Sequence, residues 1–382
     1  MAFIVSSSWS SFIPCISGAP VCKAIYCLTL DGELDYLFLQ RFNRREYTLI
    51  LKTHSNFFAV RCLALSAGVG MLGYSAANAQ TPSESGSVGG QVAKFVSVDG
   101  ARTRYYDAGS GDVILLVHGA RPSGTSSANT WVPILSALSK RFRVLAPDRL
   151  GHGMTENPRG EYSVIAEMEH LYNFLKAMGV DKFHIMGQST GAYHAARMTL
   201  DHPELVKTLV ICDSATLSPP VGNLEERRAA IGLGTGAGGE RGTSNDPKEQ
   251  FRFAVQQLSK NREHVTEEFV SAAGTMASLP AGKKTDAVMR GEAAKRYEAI
   301  IQKGAAEMRG WIKEGKLQTP TLLYWGKNDP SAIPAVGLAL FDMIAEKNPR
   351  SRMLIVNNAG HFHYREHPEE FARNVINFVT MW

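Results

Sequence analysis

Gly187-Gln188-Ser189-Thr190-Gly191 is the stretch of this chain whose residue types and spacing point most directly to chemistry. A G-x-S-x-G turn between an apolar strand and a helix lifts a serine hydroxyl clear of the backbone, poised for nucleophilic attack. The flanks fit that context. Phe183-His184-Ile185-Met186 is a short apolar run that reads as a buried strand, and residues 192–200 carry the Ala, Met and Leu of a helix. Gly187 and Gly191 lack the side chains that would clash in so sharp a turn, leaving Ser189 at its tip with a strained backbone. The competing reading, a plain surface turn, does not require strand, turn and helix in this order.

A serine hydroxyl is a weak nucleophile at neutral pH, so it needs a histidine base and a carboxylate to orient that base. Thr321-Leu322-Leu323-Tyr324-Trp325 reads as a core strand, and Gly326-Lys327-Asn328-Asp329-Pro330 as the turn at its end, which makes Asp329 the expected acid. Residues 352–356 read as the last strand, followed by Asn357-Asn358-Ala359-Gly360-His361, so His361 is the expected base. Asp213, just after the strand Leu209-Val210-Ile211-Cys212, is the alternative acid. His363 and His367 lie close by, but His367 precedes Pro368 and reads as the start of the last helix. A tetrahedral intermediate also needs backbone donors, from the residue after the nucleophile and from the loop after an early strand. Val113 to Val117 is that strand and runs into His118-Gly119-Ala120, so the amides of Thr190 and Ala120 are the expected oxyanion hole. His118 reads as a structural histidine holding this loop.

The elements that must position these residues alternate. Ala93 to Val98 and Thr103 to Tyr106 read as a hairpin with Asp99-Gly100 at its turn, and Arg143 to Ala146 as the next strand. The loop after it, with Arg149 and His152, reads as structural. Tyr162 to Met178 has helical periodicity and ends at Gly179. Such alternation implies an α/β fold with a mostly parallel, doubly wound sheet covered by helices on both faces. Over residues 216–317 the strand signal vanishes for longer than a compact domain tolerates as loop, which predicts a helical cap inserted between nucleophile and acid. Its expected helices span 225–231, 248–258, 267–276 and 292–313, with a glycine-rich break over 232–242. Phe253, Phe269, Met276, Met289 and Trp311 are candidates for lining an acyl pocket. The expected organisation is therefore an N-terminal extension to residue 79, a polar linker over 80–91, a core in two parts, 92–215 and 318–382, and the cap between them.

The chain has 382 residues and a net charge of +5, but its charges are scattered and form no long basic run, which argues against a nucleic-acid partner. Its eleven histidines form no H-E-x-x-H and its five cysteines no C-x-x-C, so no metal or cofactor is expected and the partner is a small-molecule substrate. Cys62 to Tyr74 is an apolar stretch too short to span a bilayer comfortably, and it ends in Ala77-Asn78-Ala79, an A-x-A cleavage site. Lys52 to Ala79 therefore reads as a secretory signal peptide cut before Gln80, leaving no stable membrane span in the mature chain; the alternative is an uncleaved anchor. Met1 to Leu51 shows no clean periodicity and precedes where a signal peptide normally begins, which suggests a translation start later than Met1. Arg44-Arg45 as a twin-arginine signal is the weaker reading, because the pair lies far from the apolar run. Only Cys212 follows the expected cut, so cysteines say nothing about export.

From about Val92 onward the chain resembles the α/β-hydrolase superfamily, through its elbow, acid turn, histidine loop and cap. Within it, His118-Gly119-Ala120-Arg121-Pro122, Ala128-Asn129 and Val265-Thr266-Glu267-Glu268 resemble the meta-cleavage product hydrolases, which split carbon-carbon bonds in vinylogous diketones formed during aromatic degradation. Three positions depart from that pattern. Gln188 stands where members usually carry Asn, Phe362 where they tend to carry Trp, and Ala273 close to where a cap Arg grips the substrate carboxylate. Loss of that arginine removes a bidentate carboxylate partner, and export separates the enzyme from ring-cleavage products made in the cytoplasm. Arg121 is the nearest substitute, although it reads as a solvated surface arginine. The resemblance implies a serine hydrolase, and with these departures the first reading is an exported carboxylic-ester hydrolase for small apolar or aromatic substrates and the second a carbon-carbon hydrolase. A hydrolase-fold protein that binds a small ligand without turnover is a third class, which the complete triad disfavours. Haloalkane dehalogenases and epoxide hydrolases resemble this fold but use Asp where Ser189 stands.

Overall fold

The computed structural model describes residues 86–222 and 244–382 and, before them, the backbone of four strands. These are β1 (Lys23–Leu28), β2 (Leu34–Asn43), β3 (Glu46–Lys52) and β4 (Phe57–Leu63), paired antiparallel in sequence order within the unit Met1–Asn78. Most of this stretch shows no clean periodicity in its sequence. The proposed signal peptide takes in Lys52 and β4, and the rest of it lies outside the described residues, as do the helix expected over 225–231 and the break over 232–242.

The second unit, Ala79–Trp382, is built on an eight-stranded sheet. Its strands are β5 (Lys94–Val98), β6 (Ala101–Ala108), β7 (Val113–Val117), β8 (Arg143–Pro147), β9 (Phe183–Gln188), β10 (Val206–Cys212), β11 (Thr321–Gly326) and β12 (Ser351–Val356), in the spatial order β12-β11-β10-β9-β7-β8-β6-β5. The strands from β12 to β8 run parallel, and the β5–β6 hairpin adds an antiparallel edge. The hairpin turns through Asp99 and Gly100 at φ +51° and +78°, the paired positive φ of a two-residue type I′ turn.

Every residue of β7, β9 and β11 is buried, as a sheet covered on both faces requires. Strand alternation sends Val113, Leu115 and Val117 into one core with helices α2 (Val164–Ala177), α3 (Thr190–Asp201), α7 (Glu292–Lys313) and α8 (Pro334–Ala345). Ile114 and Leu116 enter the other core, against α1 (Val132–Leu138) and α10 (Pro368–Val379). Between β10 and β11 the described residues form helices and no strand: α4 (Pro247–Leu258), α5 (Glu267–Ser278), α6 (Pro280–Val288) and α7. Helix α6 was not anticipated from the sequence. A short helix α9 (His363–Glu366) precedes α10.

Because β8 and β9 lie on opposite sides of β7, the direction in which strands are added reverses at β7 and a crevice opens at the carboxyl ends of the strands. The loops after β7, β9, β10, β11 and β12 all emerge on that edge, carrying Ala120, Ser189, Asp213, Asp329 and His361.

Candidate active site

Strand β9 ends at Gln188 and α3 begins at Thr190, so Ser189 alone turns the chain, at φ +54° and ψ −124°. This backbone region is disfavoured for a residue with a side chain and persists only where the surroundings over-determine it. Here they do. The Ser189 N–H donates to the Cys212 carbonyl at 2.9 Å, and the Ser189 carbonyl accepts from Ala192 N at 3.0 Å and from Ser214 Oγ at 2.8 Å. A methyl group on Gly191 would overlap the carbonyls of Val117 and His118, and one on Gly187 would overlap that of Gly191. Gly191→Ala is accordingly expected to destabilise the fold by about 1–3 kcal/mol, the usual cost of overpacking. A denaturant midpoint equal to that of the wild type would remove the steric argument.

Asp329 and His361 meet as the sequence predicts, with His361 Nδ1 donating to Asp329 Oδ2 at 2.6 Å. Asp329 Oδ1 accepts from the backbone N–H of Ser331 at 2.7 Å and of Ala332 at 2.9 Å. Burial pushes the Asp329 carboxyl up, but His361 and these backbone donors outweigh it and hold the group below the ordinary carboxylate range. Sequence reasoning missed Ser331, whose Oγ donates to Asp329 Oδ1 at 2.9 Å and lies 3.0 Å from His361 Nδ1. A serine two residues after an aspartate is an Asx-turn signal that could have found it.

The loop bearing His361 is gripped from three sides. Its N–H donates to the Leu258 carbonyl at the end of α4 (2.8 Å), its carbonyl accepts from Gln188 Nε2 (3.2 Å), and Gly360 N donates to Glu366 Oε1 (2.9 Å). Gln188, a departure from the resembled family, thus links the residue before the nucleophile to the base loop. Asp213 touches His363 Nδ1, and its Oδ1 accepts from Gly326 N at 2.9 Å. Burial and the nearby Asp329 push its carboxyl well above the usual range. His367 caps the start of α10 and its Nε2 meets the Asn358 carbonyl.

Ser189, His361 and Ala120 line one cavity of about 560 Å³. Helix α4 supplies Phe251, Ala254, Val255 and Leu258, and α5 supplies Phe269; Met289 closes the apolar side with Phe362. Ser123, Thr125, Ser126 and Ser127, on the loop after β7, form a polar wall. Of the five expected lining residues, Phe269 and Met289 are there and Phe253, Met276 and Trp311 are not. Met276 is fully buried elsewhere, and the Trp311 ring packs under Arg197. Arg121 lines the cavity but pairs with Glu298 at 2.6 Å, and Arg290, also lining it, is exposed. The amide of Thr190, the first residue of α3, has no intrahelical acceptor, and Ala120 is held at φ +71°. Among the described residues no group of three or more His, Cys, Asp or Glu side chains is placed to hold a metal ion, and no helix is long and apolar enough to cross a membrane.

Several histidines of this unit are buried. Burial, reinforced by Arg149, drives His118 and His152 well below the ordinary histidine value, while burial holds His170 and His184 at about 4 and His363 at about 3. These folded-state values lie below that of the unfolded chain, so as pH falls through about 6.5 the unfolded state takes up protons that the folded state refuses. Stability is therefore expected to decline progressively below about pH 6.5. Unfolding temperatures measured from pH 8 to pH 5 check this, and a midpoint unchanged between pH 7 and pH 5 contradicts it.

Comparison with known proteins agrees with this fold. The model of the alpha/beta hydrolase fold family matches residues 112–368. The chain is 29% identical over 301 residues to the 2-hydroxy-6-oxo-6-(2'-aminophenyl)hexa-2,4-dienoic acid hydrolase of Metapseudomonas resinovorans, covering 76% of this chain and 91% of that protein. It is 28% identical over 294 residues to a 2-hydroxymuconate semialdehyde hydrolase of Pseudomonas putida, covering 76% and 95% respectively. Among solved structures, a meta-cleavage product hydrolase of Pseudomonas fluorescens IP01 superposes with a TM-score of 0.61 at 26% identity, covering 75% of this chain and 97% of that one.

Proposed function

Because the chain belongs to the α/β-hydrolase fold family, we propose that Ser189, His361 and Asp329 are its catalytic triad and that it hydrolyses carboxylic esters of small apolar or aromatic substrates. The observation that carries the reading is the Asp329–His361 contact at the wall of the cavity that Ser189 also lines. With Nδ1–H committed to Asp329, His361 presents Nε2 as the base that takes the Ser189 proton. Ser189 Oγ attacks the ester carbonyl, and the oxyanion is stabilised by the N–H groups of Ala120 and Thr190. His361 then protonates the departing alkoxide, and water, deprotonated by the same imidazole, hydrolyses the acyl-enzyme. The described helices between β10 and β11 serve as a cap, since α4 and α5 supply most of the apolar lining.

The lining favours an uncharged ester over a dienoate. Ala273, close to the resembled family's carboxylate-gripping arginine, is buried, and the two arginines at the cavity are either ion-paired or exposed. The carbon-carbon hydrolase reading is supported by the relatives above and uses the same triad after ketonisation of the substrate. Turnover of p-nitrophenyl esters of increasing chain length, beside turnover of a 2-hydroxy-6-oxo-dienoate, separates the two. Activity confined to the dienoate overturns the ester reading. The protein acts outside the cytoplasm after cleavage near Ala79, a proposal resting on the A-x-A motif; a mature N-terminus other than Gln80 contradicts it.

A further inference from the structure

The two expected oxyanion donors are aimed from behind, through the carbonyls that share their peptide planes. In a trans peptide the C=O and the following N–H point in opposite directions, so fixing one fixes the other. The described chain has no cis peptide bond. The Gly119 carbonyl, partner of the Ala120 N–H, accepts from Arg149 Nη2 at 3.0 Å and lies 3.0 Å from His118 Nδ1. The Arg149 backbone N–H donates to His118 Nε2 at 3.1 Å, so the hydrogen of this neutral imidazole sits on Nδ1 and faces Gly119. Arg149 Nη2 also reaches the Ala120 carbonyl. Its guanidinium is fully buried and balanced by Glu167, which further accepts from Tyr297 of α7 at 3.0 Å. On the other side, the Ser189 carbonyl, partner of the Thr190 N–H, is held by Ser214 Oγ at 2.8 Å. Ser214 is fully buried.

We propose that Arg149 and Ser214 are positioning residues of the oxyanion hole, each gripping the carbonyl of the peptide whose N–H faces the reacting oxygen. The inference rests on Ser189 as nucleophile. Neither side chain contacts substrate; each acts by keeping a donor fixed where charge develops, a contribution realised mainly in the transition state.

The test compares Ser214→Ala and Arg149→Lys with the wild type for kcat and KM on a p-nitrophenyl ester and for affinity toward an alkyl boronic acid, a mimic of the tetrahedral adduct. Fluorophosphonate labelling of Ser189 and circular dichroism accompany each protein. The expected result is a loss of about 10-fold or more in both kcat and boronate affinity, with KM within about twofold. Ser214→Ala removes one hydroxyl and keeps the proposal testable should the buried Arg149→Lys fail to fold. A folded Ser214→Ala enzyme with wild-type kcat, or one that loses kcat while keeping its boronate affinity, overturns the inference. A wild-type protein that neither turns over esters nor labels at Ser189 overturns the nucleophile reading and the inference with it.

Discussion

Ser189→Ala is expected to lower ester turnover by about 10⁴-fold or more and to abolish fluorophosphonate labelling, with the unfolding temperature close to that of the wild type. The effect is large because the acyl-enzyme route is lost altogether, and what remains is binding plus the oxyanion donors. Stability should change little, since the strained turn is held by backbone contacts, Ser189 N to the Cys212 carbonyl and Ser214 Oγ to the Ser189 carbonyl, which alanine retains. Undiminished turnover in the variant, by a preparation free of contaminating esterase, would move the nucleophile away from this elbow.

The second large effect separates two buried carboxylates on neighbouring loops. Asp329→Asn is expected to lower kcat by about 10⁴-fold, because an amide no longer selects the His361 tautomer with its lone pair toward the serine. Asp213→Asn should cost less than about tenfold. Asp213 contacts His363, and burial with the adjacent Asp329 pushes its carboxyl well above the usual range, disfavouring its charged form, so the uncharged asparagine of similar size changes little. Measuring kcat for both variants decides the assignment. If Asp213→Asn is the inactive one, the acid follows β10 rather than β11.

Much of the fold was legible in the sequence because its signals are local. The run Val113–Val117 is apolar throughout, as a strand buried on both faces must be, and it recurs in the structure with the same bounds. Helix α7 likewise spans Glu292–Lys313, the expected 292–313. Helix α6 escaped because it opens Pro280-Ala281-Gly282, which reads as a break; the proline sits in the first turn, where its missing N–H costs nothing. The pocket was read less well. Phe251 lines the cavity and Phe253, two residues on, does not. Two helical residues point about 200° apart, so the outcome depends on the phase at which α4 packs.

Local sequence carries the chemistry that could be attempted: a serine in a glycine-flanked turn, then an aspartate and a histidine, each just past an apolar strand. Each of those features is encoded within a few residues of its own stretch, by steric fit and by periodicity. Which groups meet depends on long-range packing. Gln188 reaches the His361 carbonyl across 173 positions, and Asp329 reaches the imidazole across 32. Arg149 reaches the oxyanion loop across 30 positions, and Asp213 meets His363. Such pairings follow from strand order and helix phase, which arise from packing the whole sheet between its two cores, and no local pattern carries them.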